Sequence, residues 1–257
     1  MGGWRTVRRA VVLFDLDETL IHDRASTAAS FAAVAAAHGL DGAALQATMR
    51  AAAFPLWRDG PAAAYCEAIG ISWWEGLAGP FGPSPVAELA ALHAWIPRFR
   101  AAAWSAALAA LHTAASPVDL EAAFTADRLR RNVPYADAAA TLERLRAAGH
   151  RLGVVTNGAP DYQHLKLDGS GLRPWFDAVV VSGEVGVGKP DPRILRVALD
   201  RLGCVADQAA MVGDNPARDV AGARAAGILA VLVDRGEPGG GADAVVRQLS
   251  EIPGLVA

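Results

Sequence analysis

The sequence predicts an α/β chain: a doubly wound, mostly parallel sheet interrupted after its first strand by an inserted, all-helical segment. Three observations carry that expectation. Short, continuous apolar runs recur along the chain, and each fits a strand buried on both faces, as in a parallel sheet. Helix-period segments lie between them and end on glycine. A long alanine-rich stretch after the first run is helix-prone and holds no convincing strand.

The first apolar run is Ala-Val-Val-Leu-Phe at residues 10–14. Similar runs follow at Leu152–Thr156, Ala178–Val181, Ala209–Val212 and Leu229–Val233. Between them, Asp137–Ala148 places Leu142 and Leu145 on one face and stops at Gly149. Asp191–Leu202 gathers Leu195, Ala198, Leu199 and Leu202 before Gly203, and Asp219–Ala226 is stopped by Gly227. Strands alternating with helices read as βα units. The stretch from His22 to Val133 carries Trp57, Trp73, Trp74, Trp95 and Trp104, and a Gly/Pro-rich break at Gly76–Pro85 divides it into two helical halves. The expected organisation is residues 1–21 and 134–257 as the α/β core and 22–133 as an inserted helical domain, with hinges at its two borders.

Composition narrows the function. The chain has 257 residues, 53% hydrophobic and 20% charged, with a formal net charge of -3. It can bury a sizeable core and lacks the basic excess from which nucleic-acid or membrane-surface binding draws affinity. Two cysteines, Cys66 and Cys204, make neither a disulfide framework nor a Cys-rich zinc site. No segment reaches the roughly 18 uncharged apolar residues of a membrane span. The start, residues 1–9, is basic, but the apolar stretch after it meets Asp15 and Asp17, which a secretory segment would lack. The expectation is a soluble, cytoplasmic protein. Of 24 basic residues only Lys166 and Lys189 are lysine. A lysine kept against so strong an arginine bias points to a need for an ammonium at Lys189.

Four polar clusters fall at the carboxyl ends of predicted strands, the edge at which open α/β sheets bind ligands. Phe14-Asp-Leu-Asp-Glu-Thr-Leu20 sets two carboxylates at i and i+2 directly after a buried strand, a costly placement unless they hold a cation or do chemistry. Val154-Val-Thr-Asn-Gly158 offers a hydroxyl, an amide and backbone N–H groups to an anion. Gly186-Val-Gly-Lys-Pro-Asp-Pro192 brings an ammonium to the sheet edge. Gly183–Lys189 also fits G-x-x-x-x-G-K, but Pro190 replaces the Ser or Thr of a P-loop and has no N–H for a phosphate, so a P-loop is rejected. Met211-Val-Gly-Asp-Asn-Pro-Ala-Arg-Asp219 supplies Asp214 at a strand end and Asp219 beside the next helix. Each piece alone has a capping or turn explanation. The ordered set does not.

That set, D-x-D-x-T, then T-N-G, then G-K-P, then G-D-x-x-x-x-D, resembles the haloacid dehalogenase-like hydrolase superfamily over essentially the whole chain. Gln163–Leu172, Phe176–Glu184 and Ala221–Gly227 also look like that family, and the pattern is similar to its nucleotidase and acylneuraminate-phosphatase members. The resemblance implies a Rossmann-like core and a phosphatase of small phosphomonoesters, of the sugar-phosphate or nucleoside-monophosphate class. Asp15 would be the nucleophile that forms an aspartyl-phosphate, and Asp17 the general acid and then base. Thr19 would steady the turn that carries both, and counts with Thr156, Asn157, Gly158 and Lys189 as the set around the phosphate. Asp15, Asp214 and the backbone carbonyl of Asp17 would hold Mg²⁺, and Asp219 would anchor Lys189. Dehalogenases of the superfamily need no acid for a halide and usually lack a carboxylate at the position of Asp17, so Asp17 favours the phosphatase branch. Glu18 departs from the pattern, since many relatives carry Gly or Asn there.

In that family an insert after the first motif forms a helical (C1-type) cap that closes over the cleft. The five tryptophans of the insert are expected mostly in its own core, with a substrate wall as the functional alternative and Trp73-Trp74 as a partner surface. Arg58, Arg98 and Arg100 are candidates for a second anionic group of the substrate, and His22 for the cleft, although solvated arginines and a satisfied histidine are the default. Dehalogenation or phosphoryl transfer on the same scaffold, and a non-catalytic binding protein, are the alternatives. The sequence leaves the substrate and the choice of monomer or homodimer open.

Overall fold

The computed structural model describes residues 9–236 and 240–257. All of the basic start except Arg9 therefore lies outside the described residues. Val11, Val12, Leu13 and Phe14 have no exposed surface, as a strand covered on both faces requires. They form β1 (Val11–Phe14), an inner strand of a six-stranded sheet. The other strands are β2 (Arg151–Thr156), β3 (Ala178–Val181), β4 (Ala209–Gly213), β5 (Leu229–Val233) and β6 (Ala244–Val246). Their order is β3-β2-β1-β4-β5-β6 and every pairing is parallel. The five predicted runs are the first five strands. The sixth escaped notice because three residues at a sheet edge are too few to show a period.

The change of direction falls at β1, whose neighbours β2 and β4 lie on either side, so this is the point where a crevice opens at the carboxyl edge. Phe14 stands in register with Val154 of β2 and Val212 of β4. Asp15, Thr156 and Asp214 follow within two residues of those partners, which brings three distant motifs to one rim.

The helices of the sheet unit are α7 (Ala138–Ala147), α9 (Ser182–Val185), α10 (Pro192–Arg201), α11 (Ala221–Ala226) and α12 (Ile252–Val256). The three predicted glycine stops, Gly149, Gly203 and Gly227, have φ of 83°, 54° and 73°, the left-handed backbone that ends helices at glycine. The predicted helix start at Asp219 is corrected. One turn of π-helix, Pro216–Val220, leads into α11, because Asn215 caps Ala217 and Arg218 N–H at 3.0 and 3.1 Å and Pro216 suits the first helical position.

Contacts divide the chain into two units: the described parts of Met1–His22, Val133–Asn157 and Ser170–Ala257, and a second unit of Asp23–Asn132 with Gly158–Gly169. The second unit is wholly helical: α1 (Asp23–Ala37), α2 (Gly42–Arg58), α3 (Ala63–Ile69), α4 (Trp73–Ala78), α5 (Ala87–Ala110), α6 (Pro117–Arg130) and α8 (Pro160–Gly169). The sequence groups α8 with the sheet, but its side chains pack otherwise. Tyr162 sits in the helical core, Glu75 accepts the Ala159 N–H at 2.6 Å, Asp161 accepts that of Gly82 at 2.7 Å, and the Lys166 ammonium lies 3.5 Å from Asp23.

The expected break at Gly76–Pro85 is also revised. Gly76 lies inside α4, where a side chain would come within 2.3 Å of the Trp57 ring and 2.9 Å of Phe99. It is a close approach of backbone to aromatic ring, and the irregular stretch begins only at Gly79. The two expected halves share one core, in which Trp57, Phe99, Phe31, Trp104 and Phe124 all take part.

Candidate active site

Three of the four polar clusters converge on Lys189. Its Nζ donates to Asp15 Oδ1 at 2.6 Å and lies 2.7 Å from Asp219 Oδ1. The Lys189 backbone is held by the second motif: its N–H donates to Asn157 Oδ1 and its C=O accepts from Asn157 Nδ2, both at 2.8 Å. One amide side chain thus pairs with both polar groups of one residue, as a neighbouring strand would. Asn157 therefore positions the lysine through its backbone.

Asp219 is placed by reciprocal capping. Asn215 caps the turn that carries Asp219, and Asp219 Oδ2 accepts the Asn215 N–H at 3.0 Å. The fold-back needs Gly213, since a Cβ there would lie 2.2 Å from Asp219 Oδ2. The glycine and the second aspartate of G-D-x-x-x-x-D are therefore one steric unit. Thr19 is fully buried and its hydroxyl donates to Asp214 Oδ1 at 3.3 Å. It ties the first loop to an acid of the fourth motif. Thr156 is buried at the end of β2, and Asp17 is half-buried two residues beyond Asp15. Gly158 opens the segment that belongs to the helical unit.

The carboxylate oxygens of Asp15, Asp214 and Asp219 lie within 4.8 Å of one another. Three buried carboxylates facing one ammonium leave an excess of negative charge in a poorly solvated place. Burial, with Asp219 adding and Lys189 opposing, pushes Asp15 up to about 6. Burial, followed by Asp15 and Asp219, pushes Asp214 up to about 8. Burial works against the Lys189 ammonium, but Asp15 and Asp219 outweigh it and hold its pKa above the ordinary lysine value. An all-oxygen set with surplus charge suits a hard divalent cation.

Sequence reasoning missed Arg235 and Tyr135. Arg235 donates to the backbone carbonyls of Glu18 at 3.3 Å and Thr19 at 3.5 Å, and its guanidinium lies 3.6 Å from the Tyr135 ring centroid. His22 packs against that same tyrosine, with centroids 3.6 Å apart and the rings tilted by 38°. Arg235 follows β5 by two residues, so the strand-end rule that found the other motifs was signal enough. Glu18 has φ 57°, a conformation that costs a side-chain-bearing residue about 1 kcal/mol and that Gly or Asn adopts readily. Glu18→Gly is expected to raise Tm by about 2 °C, read by thermal melting; an unchanged or lower Tm would mean that the Tyr135 contact of Glu18, at 3.5 Å, outweighs the strain.

Within the helical unit the aromatic expectation divides. Trp57, Trp95 and Phe99 cluster with centroids 5.0 to 5.7 Å apart, and Trp104 packs on Phe31 and Phe124. Trp73 is buried and stacks on half-buried Trp74, which lines a cavity. The arginine candidates are otherwise engaged or solvated. Arg58 pairs with Asp59 on the surface, Arg98 is exposed, and Arg100 holds the carbonyls of Gly76 and Gly79. No single helix among the described residues is long and apolar enough to cross a membrane.

Comparison with known proteins places the chain in a family. The chain is 40% identical over 247 residues to the phosphoserine phosphatase of Thermus thermophilus, covering 94% of this chain and 97% of that one. Among solved structures it is similar to the HAD-hydrolase YfnB of Bacillus subtilis bound to magnesium, with a TM-score of 0.67, 20% identity and coverage of 97% and 99%. It is also similar to L-2-haloacid dehalogenase of Xanthobacter autotrophicus, with a TM-score of 0.62, 22% identity and coverage of 96% and 98%; the fold by itself does not separate the two chemistries. The haloacid dehalogenase-like hydrolase profile matches residues 10–227, and the chain belongs to that family.

Proposed function

We propose that this hydrolase is a Mg²⁺-dependent phosphatase of small phosphomonoesters that works through an aspartyl-phosphate on Asp15. The observation that carries the reading is the Lys189 ammonium set between Asp15 and Asp219, with Asp214 beside them and Asp17 two residues along. Asp15 and Asp214, with the Asp17 carbonyl, are the residues that would hold the ion. Bound there, Mg²⁺ would offset the repulsion between an aspartate and a phosphate dianion and stabilise charge in the transition state.

The chain's own groups do the rest. Asp15 attacks phosphorus as the ester P–O bond breaks, and Asp17 delivers its proton to the departing alkoxide. Asp17, now ionised, takes a proton from water, whose oxygen attacks the same phosphorus and releases Asp15 with inorganic phosphate. Lys189 and the Thr156 hydroxyl bind phosphoryl oxygens. Asp219 and Asn157 orient Lys189 by its two ends, the ammonium and the backbone. The helical unit, residues 22–133 as the sequence reads it, serves as the domain that selects the substrate, and the protein works in the cytoplasm on a metabolite, not on nucleic acid or at a membrane.

The test is phosphate release with Mg²⁺ across sugar phosphates, nucleoside monophosphates and organic-acid phosphates, with O-phosphoserine included because a 40% identical relative bears that name. Turnover of at least one of them, together with p-nitrophenyl phosphate, is expected. Halide release from a 2-haloacid, or product that depends on an acceptor alcohol, with no phosphate released to water, would move the protein to another branch.

A further inference from the structure

Asp17 sits in a closed turn. The Leu16 carbonyl accepts from the Leu20 and Ile21 N–H groups at 2.9 and 3.1 Å, and the Glu18 N–H donates to the Ile21 carbonyl at 2.9 Å. The next two carbonyls after Asp17, those of Glu18 and Thr19, are met by Arg235 at 3.3 and 3.5 Å. Arg235 lies beyond the end of β5, which is separated from β1 by β4. The contact therefore reaches across the end of a neighbouring strand, and all of its members belong to the sheet unit.

The guanidinium is itself held in place. Its carbon lies 3.6 Å from the Tyr135 ring centroid, a cation–π distance. That ring packs against His22, and the Tyr135 N–H donates to the Leu20 carbonyl at 2.9 Å. The platform under the guanidinium and the turn it holds are thus joined through the backbone. A planar fork seated on a ring can serve two successive carbonyls, a task for which an ammonium is less well shaped. The turn has reason to be held: Glu18, directly after Asp17, is at φ 57°, from which a residue with a side chain gains by relaxing. Such a rotation would swing the peptide unit that joins Asp17 to Glu18.

We infer that Arg235 is a positioning residue for Asp17: by fixing the carbonyls of Glu18 and Thr19 it keeps the Asp17 carboxyl within proton-transfer reach of the departing oxygen. The inference rests on the phosphatase reading, in which Asp17 gives its proton to the leaving oxygen as the ester P–O bond breaks and the bond from Asp15 to phosphorus forms. Proton transfer needs hydrogen-bond reach, so ångström-scale misplacement is costly.

The test compares phenyl phosphate with p-nitrophenyl phosphate, which carry no charge outside the phosphate. p-Nitrophenolate departs readily without a proton, whereas phenolate is the poorer leaving group and gains more from an acid. Arg235→Gln is expected to lower the ratio of kcat/KM, phenyl over p-nitrophenyl, at least about fivefold, a part of the roughly 10²–10⁴ that a positioned acid contributes. Asp17→Asn sets the full drop, and Arg235→Lys restores part of the ratio. An arginine that only held the fold, or only attracted anionic substrates, would affect both esters alike and leave the ratio unmoved. Amide hydrogen exchange over residues 16–21, measured in chelator, gives a readout independent of turnover and should quicken in Arg235→Gln. If that variant loses its cooperative melt, Arg235→Lys decides by the same ratio. A ratio within about twofold of wild type in the folded variants, while Asp17→Asn lowers it, overturns the inference whatever the exchange rates. If wild type cleaves neither ester, or Asp17→Asn leaves the ratio unchanged, the phosphatase reading of Asp17 has failed first and the inference falls with it.

Discussion

Asp15→Asn is expected to lower kcat for phosphate release by at least about 10³-fold, roughly 4 kcal/mol of activation free energy, while the protein stays folded. Asparagine keeps the shape and an oxygen for the Lys189 ammonium, but lacks the negative charge that the proposed attack on phosphorus requires. Asp219, 2.7 Å away, still balances Lys189. Burial and Asp219 both work against the ionised Asp15, and Asp15 in turn raises Asp214, so removing that charge relieves repulsion. The variant should therefore melt at or above the wild-type temperature in chelator. Turnover of p-nitrophenyl phosphate and thermal melts read the two halves separately. More than about a tenth of wild-type activity would deny Asp15 its role as nucleophile; loss of the cooperative melt would make it a structural residue.

Chelated protein is expected to lose stability as pH rises from about 4 to 8, and Mg²⁺ to abolish that loss. Asp15 and Asp214 have folded pKa values of about 6 and about 8, against an ordinary aspartate value of 3.8. Between those limits the folded state holds more protons than the unfolded one, so unfolding becomes easier as pH climbs. Below pH 4 both states are protonated and the difference vanishes. Mg²⁺ competes with those protons, hence its apparent affinity should rise with pH toward 8, by up to about tenfold per unit for each proton displaced. Calorimetric titration in two buffers of different ionisation enthalpy would register the released protons, and melts at pH 6 and pH 8.5 with and without Mg²⁺ would show the reversal. An affinity that is flat over that range would mean that these carboxylates are not the ligands. If the proposed Mg²⁺-dependent reaction is right, activity should fall to background in chelator and return with Mg²⁺.

Much of the sheet was legible because the first five strands are continuous apolar runs too short to be helices, and α7, α10 and α11 are each followed by a glycine at positive φ. The catalytic candidates were legible for a related reason. Carboxylates and an ammonium next to fully buried strands, such as Asp15 after Phe14, cost too much to be there without a task. Glu18 was read as an oddity, and its φ of 57° now explains why Gly or Asn suits that place. What escaped were partners separated by long stretches of chain: Asn157 clamping Lys189, Thr19 reaching Asp214, Arg235 bracing the first loop. Hydrogen bonds between residues tens to hundreds of positions apart leave no periodic trace.

The sequence by itself determined that this is an α/β hydrolase with a helical insertion, and which residues carry its charge, since burial pattern, turn chemistry and motif spacing are local properties. Only the tertiary structure decided how those residues divide the work. It took α8 from the sheet and gave it to the helical unit, turned Gly76 from a break into a seat for Trp57, and tied Arg100 to the carbonyls of Gly76 and Gly79. Each of these depends on which side chain fills which space, a matter of packing among segments that meet only when the chain has folded.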